Sequence, residues 1–311
     1  MRHRHVYLVP SRRLGRSLGV DLVPHKCCSF DCIYCQLGPT TELTTTRRDG
    51  TGVQTLVAEV EAAIAHGPRP DFVTLSGSGE PTLYEPIGEL IEALGKVFRP
   101  IAVLTNGSLL TDASVRDALS GADLVLPSLD AADDATFTYV NRPHPDLTFA
   151  GLINGMVTFR QQFKGEIWLE IMMLGGVTAT GDQASKLAQI ATRIRPDRIQ
   201  LNTVVRPPAV AYALPAPRNE LESLCQCFHP RAEVIAEPLV SNTSSHTAVS
   251  ESEVLEIVRR RPCTVGDLAM ALGAPSPAVT KTLQSLLASR TVCVRICGRR
   301  VFFAIDEGVN P

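Results

Sequence analysis

The chain has 311 residues, 44% of them hydrophobic, which is enough to bury a barrel-sized core and a small second unit. Thirty Lys and Arg stand against 32 Asp and Glu, and a net charge of -2 excludes a whole-protein field that would draw the chain to nucleic acid or an anionic membrane. No apolar run approaches the ~20 residues that span a bilayer, the start lacks a signal peptide's apolar core, and nine clustered cysteines suit a reducing compartment, so the expected location is cytoplasmic with no membrane partner.

Residues 6–23 end in a β-rich run over 19–23 that delivers the loop KCCSFDCIYCQ, residues 26–36. Within it Cys28, Cys32 and Cys35 fall at the spacing CxxxCxxC. Three thiolates from one loop can hold three irons of a cubane and leave the fourth open, whereas a closed zinc site asks for four protein ligands. A chance cluster of buried or zinc-binding thiols is the alternative. Cys27 offers a shifted register and otherwise reads as a packed or reactive thiol. A polar spacer at 47–52 leads to a helix over 53–65, in which Val53, Leu56, Val57, Val60 and Ile64 form a stripe of helical period. The alternation continues with strand 72–75, helix 86–97, strand 101–104, helix 112–119, strand 124–126, helix 147–163, strand 167–173, helix 182–194 and strand 198–201. Six strands alternating with helices predict an α/β fold, a parallel sheet curled by right-handed crossovers into a partial (β/α)6 TIM-like barrel.

A helix near 218–228 and a short strand at 234–235 complete a core unit assigned to residues 1–240. The small, polar stretch 241–250 reads as a linker. Helices over 252–260, 265–272 (capped by Thr264) and 276–289, followed by a hairpin of 292–297 and 300–305, predict a winged helix-turn-helix domain over 251–311. Its second-to-last element, the recognition helix, offers only Lys281 and Gln284 to DNA, so docking to a macromolecule is expected rather than reading of a duplex.

Strand ends carry the remaining candidates, since barrel sites assemble there. After the second strand comes SGSGEPTL, residues 76–83, with Gly77, Ser78, Gly79, Glu80 and Pro81; its glycines would let backbone approach a ligand. Asn106 follows the third strand, Ser128 and Asp130 the fourth, and Asn202 and Val204 the sixth; turn and cap roles are the alternative for Asn106 and Asp130. On the fifth strand Trp168, Glu170 and Met172 share one face. If that face points into the barrel, Glu170 is a carboxylate at the mouth, acting on substrate or paired with an arginine. Arg142 and His144 lie in the long connection after strand four, where a substrate lid is expected, and with Glu170 they are the candidate catalytic residues.

The cysteine spacing with Tyr34 before the third cysteine, and SGSGEPTL about 40 residues beyond, resembles the radical S-adenosylmethionine (SAM) superfamily. VPSRRLGRSLGVD at 9–21, SLDA at 128–131 and LNTVVRPP at 201–208 narrow the resemblance to its wyosine-synthase-like branch, related to tRNA 4-demethylwyosine synthase, over most of residues 6–240. The resemblance implies a 4Fe-4S cluster on Cys28, Cys32 and Cys35, with SAM on its open iron. Glu80 and the glycine-rich backbone would hold the methionine amino group, Ser128 and Asp130 the ribose or carboxylate, and Val204 would lie beside adenine; Tyr34, Pro81, Asn106 and Asn202 complete the cofactor-binding set. Reductive cleavage of SAM would give a 5'-deoxyadenosyl radical that abstracts hydrogen from a protein, peptide or small-molecule substrate, with flavodoxin or ferredoxin as reductant. The alternative is a wyosine-type tRNA-modifying enzyme with RNA as partner. A degenerate barrel that senses SAM or redox state is disfavoured, because all three cysteines and Glu80 are present. The branch's second cluster is not expected here, since no cysteine precedes Cys27; Cys225, Cys227, Cys263, Cys293 and Cys297 are the alternative ligands for another metal, but no loop supplies three of them at cluster spacing.

Overall fold

The computed structural model describes residues 5–235, 249–298 and 300–306. Strand β1 (Val6–Ser11) runs antiparallel to β2 (Gly15–Asp21), and β2 opens a parallel series in sequential order: β3 (Phe72–Ser76), β4 (Ile101–Thr105), β5 (Leu124–Pro127), β6 (Glu166–Met172), β7 (Arg198–Asn202) and β8 (Glu233–Val234). The sheet stays open between β1 and β8, a partial TIM barrel in an α/β chain. Helices α1 (Val53–His66), α2 (Ile87–Gly95), α3 (Ala113–Ala118), α4 (Asp134–Asn141), α5 (Phe149–Gln162), α6 (Gly181–Ile194) and α7 (Arg218–Leu224) fill the crossovers. Several begin where a side-chain oxygen accepts a free backbone N–H of the first turn: Asp112 from Ser114, Thr148 from Gly151 and Thr180 from Gln183. Each such cap stabilises its helix by about 1 kcal/mol.

Period-two alternation sorts the strand residues into two layers. Val73, Leu75, Val103, Val125, Leu169 and Ile171 face the helices and join the main core with Leu56, Leu90 and Leu187. Phe72, Ala102, Leu104, Leu124, Leu126 and Trp168 point the other way and, with Leu14, plug the floor of the barrel. Trp168 lies under the Arg198 guanidinium, 4.5 Å from the ring centroid. Toward the C-terminal strand ends the inward residues turn polar, as Ser76, Glu170 and Asn202. The floor excludes water and the mouth offers hydrogen bonds.

Among the described elements, the antiparallel edge strand β1, helix α4 and a short parallel pairing of Cys27–Cys28 with Glu42–Leu43 were not foreseen. Helices α8 (Glu251–Val258), α9 (Val265–Leu272) and α10 (Ser276–Ala288) precede a hairpin of β9 (Val292–Cys297) and β10 (Arg300–Ile305), and pack on a core of their own that includes Val254, Leu268, Val279 and Leu283. This C-terminal unit lies across the barrel mouth, with α9 on β1 and Cys297 against the cluster of Ile33, Leu174 and Val204. Of the expected linker, only Val249 and Ser250 are among the described residues; Ser250 and Glu253 form a capping box that starts α8.

Candidate active site

The cysteine loop and the loop after β3 are laced together by backbone. Lys26 N–H donates to the Ser78 carbonyl at 2.6 Å and Glu80 N–H to the Cys27 carbonyl at 3.1 Å. This contact explains the glycines. A Cβ on Gly79 would overlap the Cys27 carbonyl, and one on Gly77, whose φ is +124°, would overlap the Asp21 carboxylate. The close approach expected toward a ligand is thus spent first on the cysteine loop and Asp21.

Each of the three sulfurs meets a polar donor, one from the loop itself and two from distant parts of the chain. Lys26 Nζ lies 3.2 Å from Cys35 Sγ, Asn106 Nδ2 3.6 Å from Cys28 Sγ and Asn141 Nδ2 3.5 Å from Cys32 Sγ. Burial, with Glu80 nearby, pushes the Cys28 thiol up to about 12, and burial with Asp130 nearby lifts Cys32 well above the usual thiol range. As free thiols they are therefore neutral, and a metal must displace their protons on binding. Among the described residues no trio of His, Cys, Asp or Glu converges on one metal ion. A cubane makes a different demand, one thiolate per iron, and three reduced cysteines with a donor on every sulfur fit it. Cys27 is buried, its thiol raised by desolvation, and it packs into the main core.

Beside Cys35 opens a cavity of about 350 Å³, within the range of small-molecule sites. The expected cofactor residues divide here into two groups. Tyr34, Gly77, Ser78, Gly79, Asn202 and Val204 line the cavity, whereas Glu80, Pro81, Asn106, Ser128 and Asp130 do not. Glu80 is 2% exposed, and its oxygens accept Thr82 N–H at 3.1 Å, Thr82 Oγ1–H and Thr105 Oγ1–H at 2.6 Å, and Asn106 N–H at 2.7 Å. Burial raises its pKa and these donors hold it back. Asp130, 3% exposed, accepts from Tyr34 Oη, Asn141 Nδ2 at 3.0 Å and Met172 N–H at 3.0 Å. Both carboxylates brace the wall from behind. Ser128, half-buried, bridges to Glu170 through its backbone.

The face bearing Glu170 does point inward, and Glu170 lines the cavity. Its carboxylate is paired with Arg13 and accepts Asn202 Nδ2 at 2.9 Å, the arginine-paired arrangement left open from the sequence. Arg142 and His144 lie elsewhere. They line a separate depression, where Arg142 reaches Asp31 at 3.5 Å and Tyr212 Oη at 2.7 Å, and His144 N–H donates to the Ser29 carbonyl at 2.9 Å. They buttress the cysteine loop instead of covering the mouth. Sequence reasoning missed Lys26, Asn141 and the arginines of the cavity; the pair Arg12-Arg13 beside a strand was the one visible signal.

The sequence model of the Radical SAM superfamily matches residues 22–183. A "UPF0026 protein" of Methanocaldococcus jannaschii is 38% identical over 71% of this chain and 70% of its own length. A "GTPase Obg" of Brachyspira hyodysenteriae is 33% identical over 96% of this chain, and the chain spans 44% of the length of that relative. The solved structure of TYW1 with a lysine-pyruvate adduct bound superposes with a TM-score of 0.53 at 17% identity, covering 70% of this chain and 74% of that one, a likeness of fold. With the cysteine loop and the strand-end loop both inside the matched span, this chain belongs to the radical SAM superfamily, whose members use a 4Fe-4S cluster and S-adenosylmethionine.

Proposed function

We propose that Cys28, Cys32 and Cys35 hold one 4Fe-4S cluster and that SAM lies in the adjoining cavity, against Tyr34, the backbone of residues 76–79, Asn202 and Val204. When bound, the reduced cluster supplies the single electron that cleaves SAM to methionine and a 5'-deoxyadenosyl radical able to take hydrogen from a substrate. The chain's own work is to bind, orient and exclude water. Lys26, Asn106 and Asn141 carry the negative charge of the sulfurs. Glu80 and Asp130 fix the loops that bear Asn106 and Tyr34. The apolar floor around Trp168 closes the cavity from below.

The substrate is proposed to be a protein, peptide or small molecule, the reductant a flavodoxin- or ferredoxin-like electron carrier, and residues 251–311 a winged helix-turn-helix domain. Modification of tRNA is the second reading, and it is favoured by the arginines that gather at the mouth. One observation carries the proposal: a donor on each of three cysteine sulfurs, with Cys35 opening onto the cavity. To test it, each cysteine is replaced by alanine, iron is measured after anaerobic reconstitution, and 5'-deoxyadenosine is measured after reduction with SAM. Each variant should lose both; about four irons retained in the triple variant would overturn the assignment.

A further inference from the structure

Five arginine side chains line the cavity, Arg12, Arg13 and Arg206 from the barrel and Arg260 and Arg261 from the C-terminal unit. Three have a carboxylate: Arg13 pairs with Glu170, Arg206 with Asp267 at 3.4 Å and Arg260 with Asp21 at 3.2 Å. Among the described residues no carboxylate lies within ion-pair distance of Arg12 or Arg261. Glu256 also lies 4.0 Å from Arg260, so the three paired arginines are matched and Arg12 and Arg261 are the two that have no carboxylate among the described residues. Nor are these charges out in bulk water. The Arg206 side chain is 11% exposed, and its Nε finds no acceptor among the described residues. Burial, then the Arg261 charge, brings both Arg12 and Arg206 down to about 10. Like charges held together in a medium less polar than water are costly until an anion joins them.

SAM does not supply that anion, because its sulfonium and ammonium outnumber its one carboxylate. The cysteine sulfurs already have Lys26, Asn106 and Asn141 as donors. We propose that Arg12, Arg206 and Arg261 form the binding site for a phosphate group of the substrate. A phosphate monoester carries about -1.5 to -2 at neutral pH, which matches two guanidinium groups without a carboxylate better than a single carboxylate does. Guanidinium forks also meet its oxygens two at a time. Because Arg261 comes from the C-terminal unit and Arg12 and Arg206 from the barrel, the anion bridges the two, and the site is complete only when they are docked. Its role as a substrate site rests on the reading above; the binding itself does not.

The test is calorimetry on the full-length, cluster-loaded protein with SAM present in excess, titrating pyrophosphate, glycerol 3-phosphate, succinate and total tRNA at low and high salt. Wild type should bind the phosphates better than succinate, and the double variant Arg12→Gln/Arg261→Gln should bind them at least about tenfold more weakly. Arg261→Gln alone covers the case in which the double variant fails to fold and should weaken binding in the same direction, while Arg261→Lys, which keeps the charge, should recover most of it. Tighter binding of tRNA than of glycerol 3-phosphate, lost in the same variants, assigns the phosphate to RNA; the reverse order assigns it to a small ester. No phosphate binding by wild type, affinity unchanged by both glutamine variants, or succinate binding as tightly as pyrophosphate overturns the inference. Wild type that forms 5'-deoxyadenosine yet binds no phosphate loses this inference alone. Protein that binds phosphate through Arg261 but holds no cluster loses the preceding reading alone.

Discussion

Lys26 combines two features that are rarely found together, a backbone in the left-handed region at φ 62° and burial of a lysine, the residue being only 3% exposed. Its ammonium is turned onto Cys35 Sγ, so the conformation is maintained for a charge contact at the cluster loop. Lys26→Met keeps the volume and removes the charge. It should weaken cluster retention by about 10- to 100-fold, as loss of a ligand's partner does, and make the bound cluster harder to reduce. A redox titration followed by electron paramagnetic resonance reads both, and an unshifted midpoint with full iron would remove Lys26 from the site. Glu80 poses the opposite case, a buried acceptor whose loss strands its donors. Glu80→Ala leaves Thr82, Thr105 and Asn106 unsatisfied, and at about 1–3 kcal/mol for each buried unpaired group the cluster-free protein should lose about 3–5 kcal/mol. Glu80→Gln, which keeps one carbonyl acceptor, should lose less; an unchanged urea midpoint in Glu80→Ala would show that the carboxylate anchors nothing. At this scale the ligands were legible, because their spacing is local. Their partners were read only in part: Asn106 was expected at the cofactor although it stands 78 residues from Cys28, whereas Asn141, 109 residues from Cys32, and the lysine beside the loop, Lys26, were missed.

The strand-to-loop elements are keyed to one another by small residues, and Gly79 is where the cysteine loop and the loop after β3 come closest. Gly79→Ala pushes a methyl group into the Cys27 carbonyl and Val23 and must lengthen the Glu80 N–H to Cys27 bond. Overpacking of this kind costs about 1–3 kcal/mol. Iron content after reconstitution should fall although every cysteine is present, whereas Gly52→Ala, where nothing lies within 4 Å of the added Cβ, should reconstitute like wild type. Equal iron in both variants would show that the lacing does not position the thiols. Periodicity made most of the barrel readable. It failed at β1, where Pro10 argues against a central strand and is tolerated only because β1 is the edge of the sheet. It failed again at α4, whose sequence DATFTYVN is rich in β-branched and aromatic residues; the helix starts because Asp133 accepts Thr136 N–H at 2.8 Å.

Across the whole molecule, the C-terminal unit is held to the barrel mouth by charge as much as by apolar contact, and no periodicity in the sequence could have indicated where it docks. Arg260 is the center of that contact. Its Nε lies 3.2 Å from Asp21, its guanidinium stands 4.0 Å over the Tyr7 ring, and Tyr7 Oη donates to the same Asp21 at 3.2 Å. Burial, then Asp21, raises the Tyr7 phenol above its ordinary range, so it remains a neutral donor at any physiological pH. Asp21 in turn accepts Ser78 N–H at 3.0 Å, which ties the docking contact to the loop that lines the cavity. Arg260 and Asp21 are 16% and 14% exposed, too buried to rank with surface ion pairs, and removing one partner leaves the other charged and half-satisfied. Arg260→Ala should therefore weaken docking by about 3 kcal/mol, the lost ion pair and cation–π contact together. Amide exchange should quicken by about 100-fold in β1 and α9, which pack on each other across the boundary, and stay at the wild-type rate in β4 and β5. Exchange that quickens throughout the barrel would mean that Arg260 stabilises the fold as a whole, and exchange that is unchanged in β1 and α9 would mean that the units are held by α9 and Cys297 without it.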